Sequence, residues 1–418
     1  MARVEALSCL RCGSRYPASH YAQDCDTCRP VAPSNLVVVY GDALDGPRAR
    51  PGSSSDRSLW RYGDLLPVTQ NDAVTLGEGG SMLHRISGTA AALGLTELFA
   101  KDETRNPTWS FKDRLACLAI SSARKMGART IVSSSSGNAG AAAAAYAAKA
   151  GIPCVIFTFR GTAGPMVTQM RSYGARVVEV ATKADRWTLM QTAVREHGWF
   201  PTSPFFGPAV GSNPYGIEGY KTLAYEIAEA MNWSVPDWCI LPVCYGDALV
   251  GMWRGFAEMR SFGWTDRMPR MVAAEVAGSI SHAFDKGEDA LPDKPLAAPT
   301  VAVSFGATRG TFQALDIVRR SQGAAVVIEN EPMLRWQAEL ASKDGLFVEA
   351  SSAGGLAAVE TLRASGKIKD RDSVVCLLTA SGLKDPATAE AALPAKISVS
   401  ADLTEARATL RDVGLFPG

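Results

Sequence analysis

From Trp60 onward the chain alternates two apolar patterns, residues at helical spacing and short unbroken runs of strand length. Phe111, Leu115, Leu118, Ala119, Ser122 and Met126 share one face of a helix that Gly127 closes, and a strand follows at 130–132. Residues 130–148 carry no charge, and apolarity alone would let such a run cross a bilayer. Ser133, Ser134, Ser135, Ser136, Gly137, Asn138 and Gly140 make it too polar for that, so it divides into a strand, a polar turn and an Ala-rich helix ending at Gly151. Strands at 152–159 and 175–180 then flank a helix at 165–173. After Gly216 the rhythm resumes with a helix at 217–231, a strand at 238–243, a helix at 248–259 and a strand at 271–276. Runs at 326–328, 346–348 and 374–378 predict further strands with helices between them. Repeated strand and helix units predict an α/β protein of two lobes, each a parallel-rich sheet with helices on both faces.

The first forty residues do not follow this rhythm. They hold four of the nine cysteines, as Cys9-x-x-Cys12 and Cys25-x-x-Cys28, and read as a small separate module. Residues 41–59, rich in Gly, Pro, Ser, Asp and Arg, read as a linker. Residues 60–418 are then the catalytic region, with a small lobe at about 100–210 and a large lobe built from the rest.

Composition narrows the classes. Lys plus Arg (43) nearly balances Asp plus Glu (42) at 20% charged and 47% hydrophobic, which is ordinary globular usage and not that of a disordered tail or a nucleic-acid scaffold. Residues 1–40 carry four arginines against three acidic residues, too weak an excess to argue for nucleic-acid binding. Nine cysteines in 418 residues are too sparse for a disulfide framework, so a reducing cytoplasm is expected.

Five stretches carry candidate chemistry. Two Cys-x-x-Cys pairs can close a tetrahedron around a structural Zn²⁺, against the blander reading of four unrelated buried thiols. Lys112 opens a helix after the Asn106-Pro107-Thr108 turn, and the positive end of a helix favours the neutral amine that condenses with an aldehyde; a lone lysine would otherwise be a surface residue. The small residues of 133–140 leave N–H groups open to a carboxylate, and the Asn138 amide can donate to a phenolate oxygen. Cys244, Tyr245, Gly246, Asp247 and Ala248 join a strand to a helix as a second anion cup, in which Asp247 is expected to cap the helix with its carboxylate turned away. Finally, Thr379 lies where a strand runs into a polar turn, placing a hydroxyl within reach of a heterocyclic nitrogen.

Together these stretches resemble the threonine synthase branch of the fold-type-II pyridoxal 5′-phosphate enzymes. The resemblance runs through Leu36-Val-Val-Val-Tyr40, Trp60-Arg-Tyr, Leu76-Gly-Glu-Gly79, the segment from Lys101 to Arg114, Ser136-Gly-Asn-Ala139, Asn213-Pro214, Glu218-Gly219, Lys221-Thr222 and Gly382-Leu-Lys-Asp-Pro386. It implies that Lys112 holds the cofactor as an internal aldimine, that Asn138 bonds its O3′, that residues 244–248 cradle its phosphate and that Thr379 faces its ring nitrogen. It further implies that Ser135, Ser136 and Gly137 receive the carboxylate of an amino-acid substrate, and that the chain forms a homodimer without nucleic-acid or membrane partners.

The expected activity is elimination or replacement at Cβ or Cγ of an L-amino acid. The alternatives are threonine synthase itself, cysteate synthase and a non-catalytic cofactor-binding regulator; the joint presence of Lys112, Asn138 and Thr379 argues against the last. The family's phosphate-gripping Asn-Ser and Arg correspond here to Val210, Gly211 and Gly216, and the family's Gly-Asn-Thr-Pro to Gly79-Gly80-Ser81-Met82. Ala139 also stands where a hydroxyl is common. With those donors missing, O-phosphohomoserine is expected to be a poor substrate.

Overall fold

The strand and helix units resolve into three sheets in the computed structural model, which describes residues 4–19, 24–52, 54–160, 164–296 and 298–415. Near the N-terminus, β1 (Ala6–Cys9) pairs antiparallel with both β2 (Arg15–Pro17) and β3 (Leu36–Val39). Next in the chain, β4 (Leu83–Arg85) and β5 (Glu97–Asp102) begin the largest sheet. The chain then leaves it to build a four-stranded parallel sheet from β6 (Ile131–Ser134), β7 (Cys154–Phe159), β8 (Arg176–Val180) and β9 (Phe200–Pro201), in the order β8-β7-β6-β9. It returns to complete the large sheet with β10 (Trp238–Pro242), β11 (Arg270–Glu275), β12 (Ala324–Val327) and β13 (Ser373–Leu378). That sheet runs β12-β11-β10-β13-β5-β4, parallel throughout except for β4.

Helices cover both faces of both sheets, which is why β10 and β13 are unbroken apolar runs and why apolar clusters form on each side of the sheets. The core on one face of the large sheet continues into Leu7, Leu36 and Val38 of the N-terminal sheet, while Leu59, Trp60, Leu66, Val68 and Val74 pack into the core of the small sheet.

One predicted strand is not a strand. Residues 346–348 contribute only a single bridge, Val348 to Ser381, because their backbone bonds go to the turn beyond β13. The Gly382 N–H donates to Phe347 O, and the Glu349 N–H to Ala380 O. After residue 60, three strands (β4, β5 and β9) and the helices Ser87–Leu93, Lys183–Arg195, Pro386–Ala392 and Leu403–Asp412 lie outside the predicted pattern.

Two reversals of strand order decide where a ligand fits. In the large sheet the order turns between β10 and β13, and in the small sheet between β6 and β9. Crevices open at the carboxyl ends of strands at such points. The 244–248 turn follows β10, Thr379 follows β13, and the 135–138 turn follows β6.

Candidate active site

Three helices begin at one cavity of about 570 Å³: Lys112–Lys125, Asn138–Ala150 and Asp247–Ser261. Their first residues line it, together with Ser135, Ser136, Gly137, Cys244, Tyr245, Gly246, Ala248 and Thr379. Every cofactor or substrate residue expected from the sequence is thus brought to one space. N–H groups in a helix's first turn have no acceptor within the helix, so three positive helix ends converge there.

Lys112 and Thr379 are set side by side by main-chain bonding. Ser110 bridges Ala380, the Phe111 N–H donates to Thr379 O at 2.8 Å, and the Ser381 N–H donates to Trp109 O at 3.1 Å. Ser352 Oγ lies 2.7 Å from Thr379 Oγ1 and accepts from the N–H groups of Thr379 and Ala380, fixing the register so that Thr379, not Ser381, lines the cavity. Lys112 Nζ has no hydrogen-bond or ion-pair partner among the described residues; it lies 4.4 Å from the Phe111 ring centroid and 5.9 Å from that of Tyr220. Burial lowers its pKa, with Asp247, Cys244 and Glu349 acting weakly the other way.

The 135–138 turn is partly self-satisfied. The Ser135 N–H goes to Phe157 O, and Ser135 Oγ accepts from the Gly137 and Gly140 N–H groups. The N–H groups of Ser136, Asn138 and Ala139 have no acceptor among the described residues. The Asn138 amide nitrogen reaches the buried Glu349 carboxylate at 3.2 and 3.3 Å, while its Oδ1 is buried without a partner. Burial raises the Glu349 pKa, so this carboxyl leans toward its neutral form.

Asp247 does not cap its helix. It is the first helical residue, after Gly246 in the left-handed region, and its carboxylate accepts from Ser212 N and Oγ and from Gln313 Nε2. Those three neutral donors hold the carboxylate in place of the capping role expected, and Asp247 remains part of the cavity lining. Gly216 is not among the residues lining the cavity, and a Cβ there would meet Leu115 Cγ at 2.9 Å.

Behind the lysine lies a buried ion network that the residue patterns do not reveal. Arg114, fully buried, donates to both oxygens of Glu103 (2.7 and 2.8 Å) and to both of Glu226 (2.7 Å each), and Lys101 Nζ reaches Glu226 at 2.6 Å. Gly219 allows this packing, because any Cβ there would collide with the Arg114 carbonyl. Asp113, in the first turn of the same helix, accepts from Thr108 N and Oγ1, and burial pushes its pKa up to about 7.

Against known proteins, the chain matches the pyridoxal-phosphate dependent enzyme family over residues 74–380. It belongs to that family. Threonine synthase of Methanocaldococcus jannaschii is 31% identical over 97% of this chain and 99% of its own length, and that of Methanosarcina acetivorans 32% identical over 91% and 93%. The chain is therefore a threonine synthase-like, pyridoxal-phosphate dependent lyase. Diaminopropionate ammonia lyase from Escherichia coli (TM-score 0.66, 17% identity, 83% of this chain and 95% of that one) and threonine deaminase from Solanum lycopersicum (TM-score 0.61, 18% identity, 89% and 96%) share its fold.

The cavity fits the family's cofactor on its own features. It offers an unpartnered amine, an orphaned buried amide oxygen and a helix N-terminus at a glycine turn. The four N-terminal sulfurs fit zinc equally well. They lie within 4.8 Å of one another, with Cys9 to Cys28 at 3.8 Å and Cys12 to Cys25 at 3.5 Å, against the ~3.8 Å edge of a tetrahedron with Zn–S bonds of ~2.3 Å. The Arg11 and Cys12 N–H groups donate to Cys9 Sγ, as expected around a thiolate ligand. Metal analysis of freshly purified protein should find one zinc per chain. Cys25→Ser should lose it and lower solubility while turnover by the remaining folded protein persists; a zinc-free preparation of full stability would refute the assignment.

Proposed function

We propose that the cavity takes an L-amino acid beside pyridoxal phosphate and promotes elimination or replacement at Cβ or Cγ. The observation that carries this reading is the gathering of Lys112, Asn138, Thr379 and the 244–248 turn around one space. Lys112 would attach the cofactor, the N–H groups of 244–248 would hold its phosphate, Asn138 its phenolate oxygen and Thr379 its ring nitrogen. Bound there, the cofactor supplies an electron sink conjugated to the substrate's α-carbon.

The chain's own groups do the rest. Lys112, with its amine pushed toward the neutral form by burial, takes the Cα proton and delivers it to the leaving group or, when a replacing nucleophile adds, back to carbon. The N–H groups around Ser136 orient the substrate carboxylate, aided by the Ser135 hydroxyl and the Gly137 turn. Thr379 lends a hydroxyl where a carboxylate would keep the nitrogen protonated, and this milder environment suits elimination and replacement over transamination. The same reading includes a cytoplasmic homodimer that works on small molecules; none of the nine cysteines is in a disulfide, as a reducing compartment would leave them.

The relatives named threonine synthase favour a second reading, in which the substituent lost is the phosphate of O-phosphohomoserine. Screening the holoenzyme's visible spectrum against L-amino acids, phosphorylated and not, while assaying α-keto acid, ammonia and threonine, separates the two. At least one amino acid should shift the spectrum and yield product; silence across the panel would reject both.

A further inference from the structure

The Lys183–Arg195 helix, which no apolar pattern announces, brings an arginine into the cavity. Arg186 is only 7% exposed, its Nε has no hydrogen-bond partner, and no carboxylate pairs with it among the described residues. Its guanidinium rests against aromatic rings, 5.5 Å from the centroids of both Phe159 and Trp187, which also line the cavity. The acids nearest in sequence or in the cavity are otherwise engaged or exposed. Asp185 caps its own helix with Thr182, Asp247 is saturated by Ser212 and Gln313, and Asp293 faces solvent.

A buried cation without a counter-charge is costly, and the planar fork of arginine is matched best by an oxyanion. Ser134 adds a second unpartnered polar group to the lining, its buried Oγ. Both belong to the lobe that carries the 135–138 turn; the phosphate cup at 244–248 follows a strand of the other sheet, and across the cavity its Tyr245 and Cys244 are the groups whose charge Arg186 feels.

We propose that Arg186 is the residue that selects the substrate, an L-amino acid whose side chain ends in an oxyanion, phosphoryl or carboxylate. The inference rests on the amino-acid reading of the site above and adds the chemistry of the distal group. It also revises the expectation of poor O-phosphohomoserine use, which followed from Val210, Gly211 and Gly216. None of those three lines the cavity, and an arginine reaches it from elsewhere.

The test titrates the holoenzyme's visible absorption with matched pairs, L-serine against O-phospho-L-serine and L-homoserine against O-phospho-L-homoserine, with L-aspartate and L-glutamate as carboxylate probes. An anionic ligand should bind about 100-fold more tightly than its neutral partner. Arg186→Leu should reduce that preference to within roughly threefold, leaving neutral ligands and cofactor affinity as they were, and Arg186→Lys should restore part of it. Arg186→Gln serves the same comparison if leucine impairs folding. Equal binding of neutral and anionic partners, or a preference that survives in Arg186→Leu, overturns the proposal while leaving the amino-acid reading intact. A variant that loses cofactor affinity more than tenfold with its preference unchanged reassigns Arg186 to the cofactor's phosphate and also overturns it. A spectrum that no amino acid perturbs overturns the amino-acid reading itself, and this inference with it.

Discussion

Lys112→Ala is expected to abolish turnover while leaving the protein folded and able to bind pyridoxal phosphate noncovalently. The lysine side chain makes no hydrogen bond or ion pair among the described residues, so its removal leaves no buried partner unsatisfied and the fold loses little. Function loses two things. The covalent anchor disappears, and so does the base at the α-carbon, whose proton transfer alone is worth about 10²–10⁴-fold. Steady-state assays on the substrate found by the spectral screen, with circular dichroism as the folding control, should therefore show activity at background. Unchanged activity in the variant would remove Lys112 from the site.

Arg114→Leu should have the largest effect on stability. Leucine leaves Glu103 and Glu226 buried and uncompensated, with Lys101 answering only the second, and breaking a buried pair in this way typically costs about 3–5 kcal/mol. Because Arg114 lies two residues beyond Lys112, the loss should also weaken cofactor binding. Thermal and urea midpoints of the apoprotein should fall, and adding Glu103→Gln to the variant should recover part of the loss by removing one orphaned charge. An unchanged midpoint would mean that the network contributes nothing to folding. Burial opposes ionisation of Glu226, yet Arg114 and Lys101 hold its pKa below the usual carboxylate range. Its contribution is therefore present above the normal glutamate pKa and is lost as pH falls through the depressed one.

The parts of the site legible in the sequence were those built from local rules. Small residues at 133–140 and 244–248 mark turns at strand ends, a helix start marks Lys112, and paired Cys-x-x-Cys spacing marks the metal cluster. What stayed hidden depends on distant partners. β5 carries Lys101 and Asp102, which break an apolar run, and Lys101 is buried only because Glu226 comes to meet it. In the Lys183–Arg195 helix the inward positions are Arg186, Met190 and Ala193, a helical spacing whose first member is charged, so the stripe looks too short to read. An arginine on the apolar face of an amphipathic pattern was the available signal. The run at 346–348 failed for the opposite reason, since apolar residues there serve a bridge to Ser381 and the start of the Ala350–Ala364 helix instead of a sheet.

Everything proposed for the site depends on Lys112 carrying the cofactor. Borohydride reduction of the holoprotein followed by peptide mass analysis tests it directly, because three other lysines, at 101, 221 and 384, are also buried. A single phosphopyridoxyl mass increment is expected on the peptide containing Lys112. An increment on Lys101, Lys221 or Lys384, or none on any lysine of a protein that binds the cofactor, would contradict it.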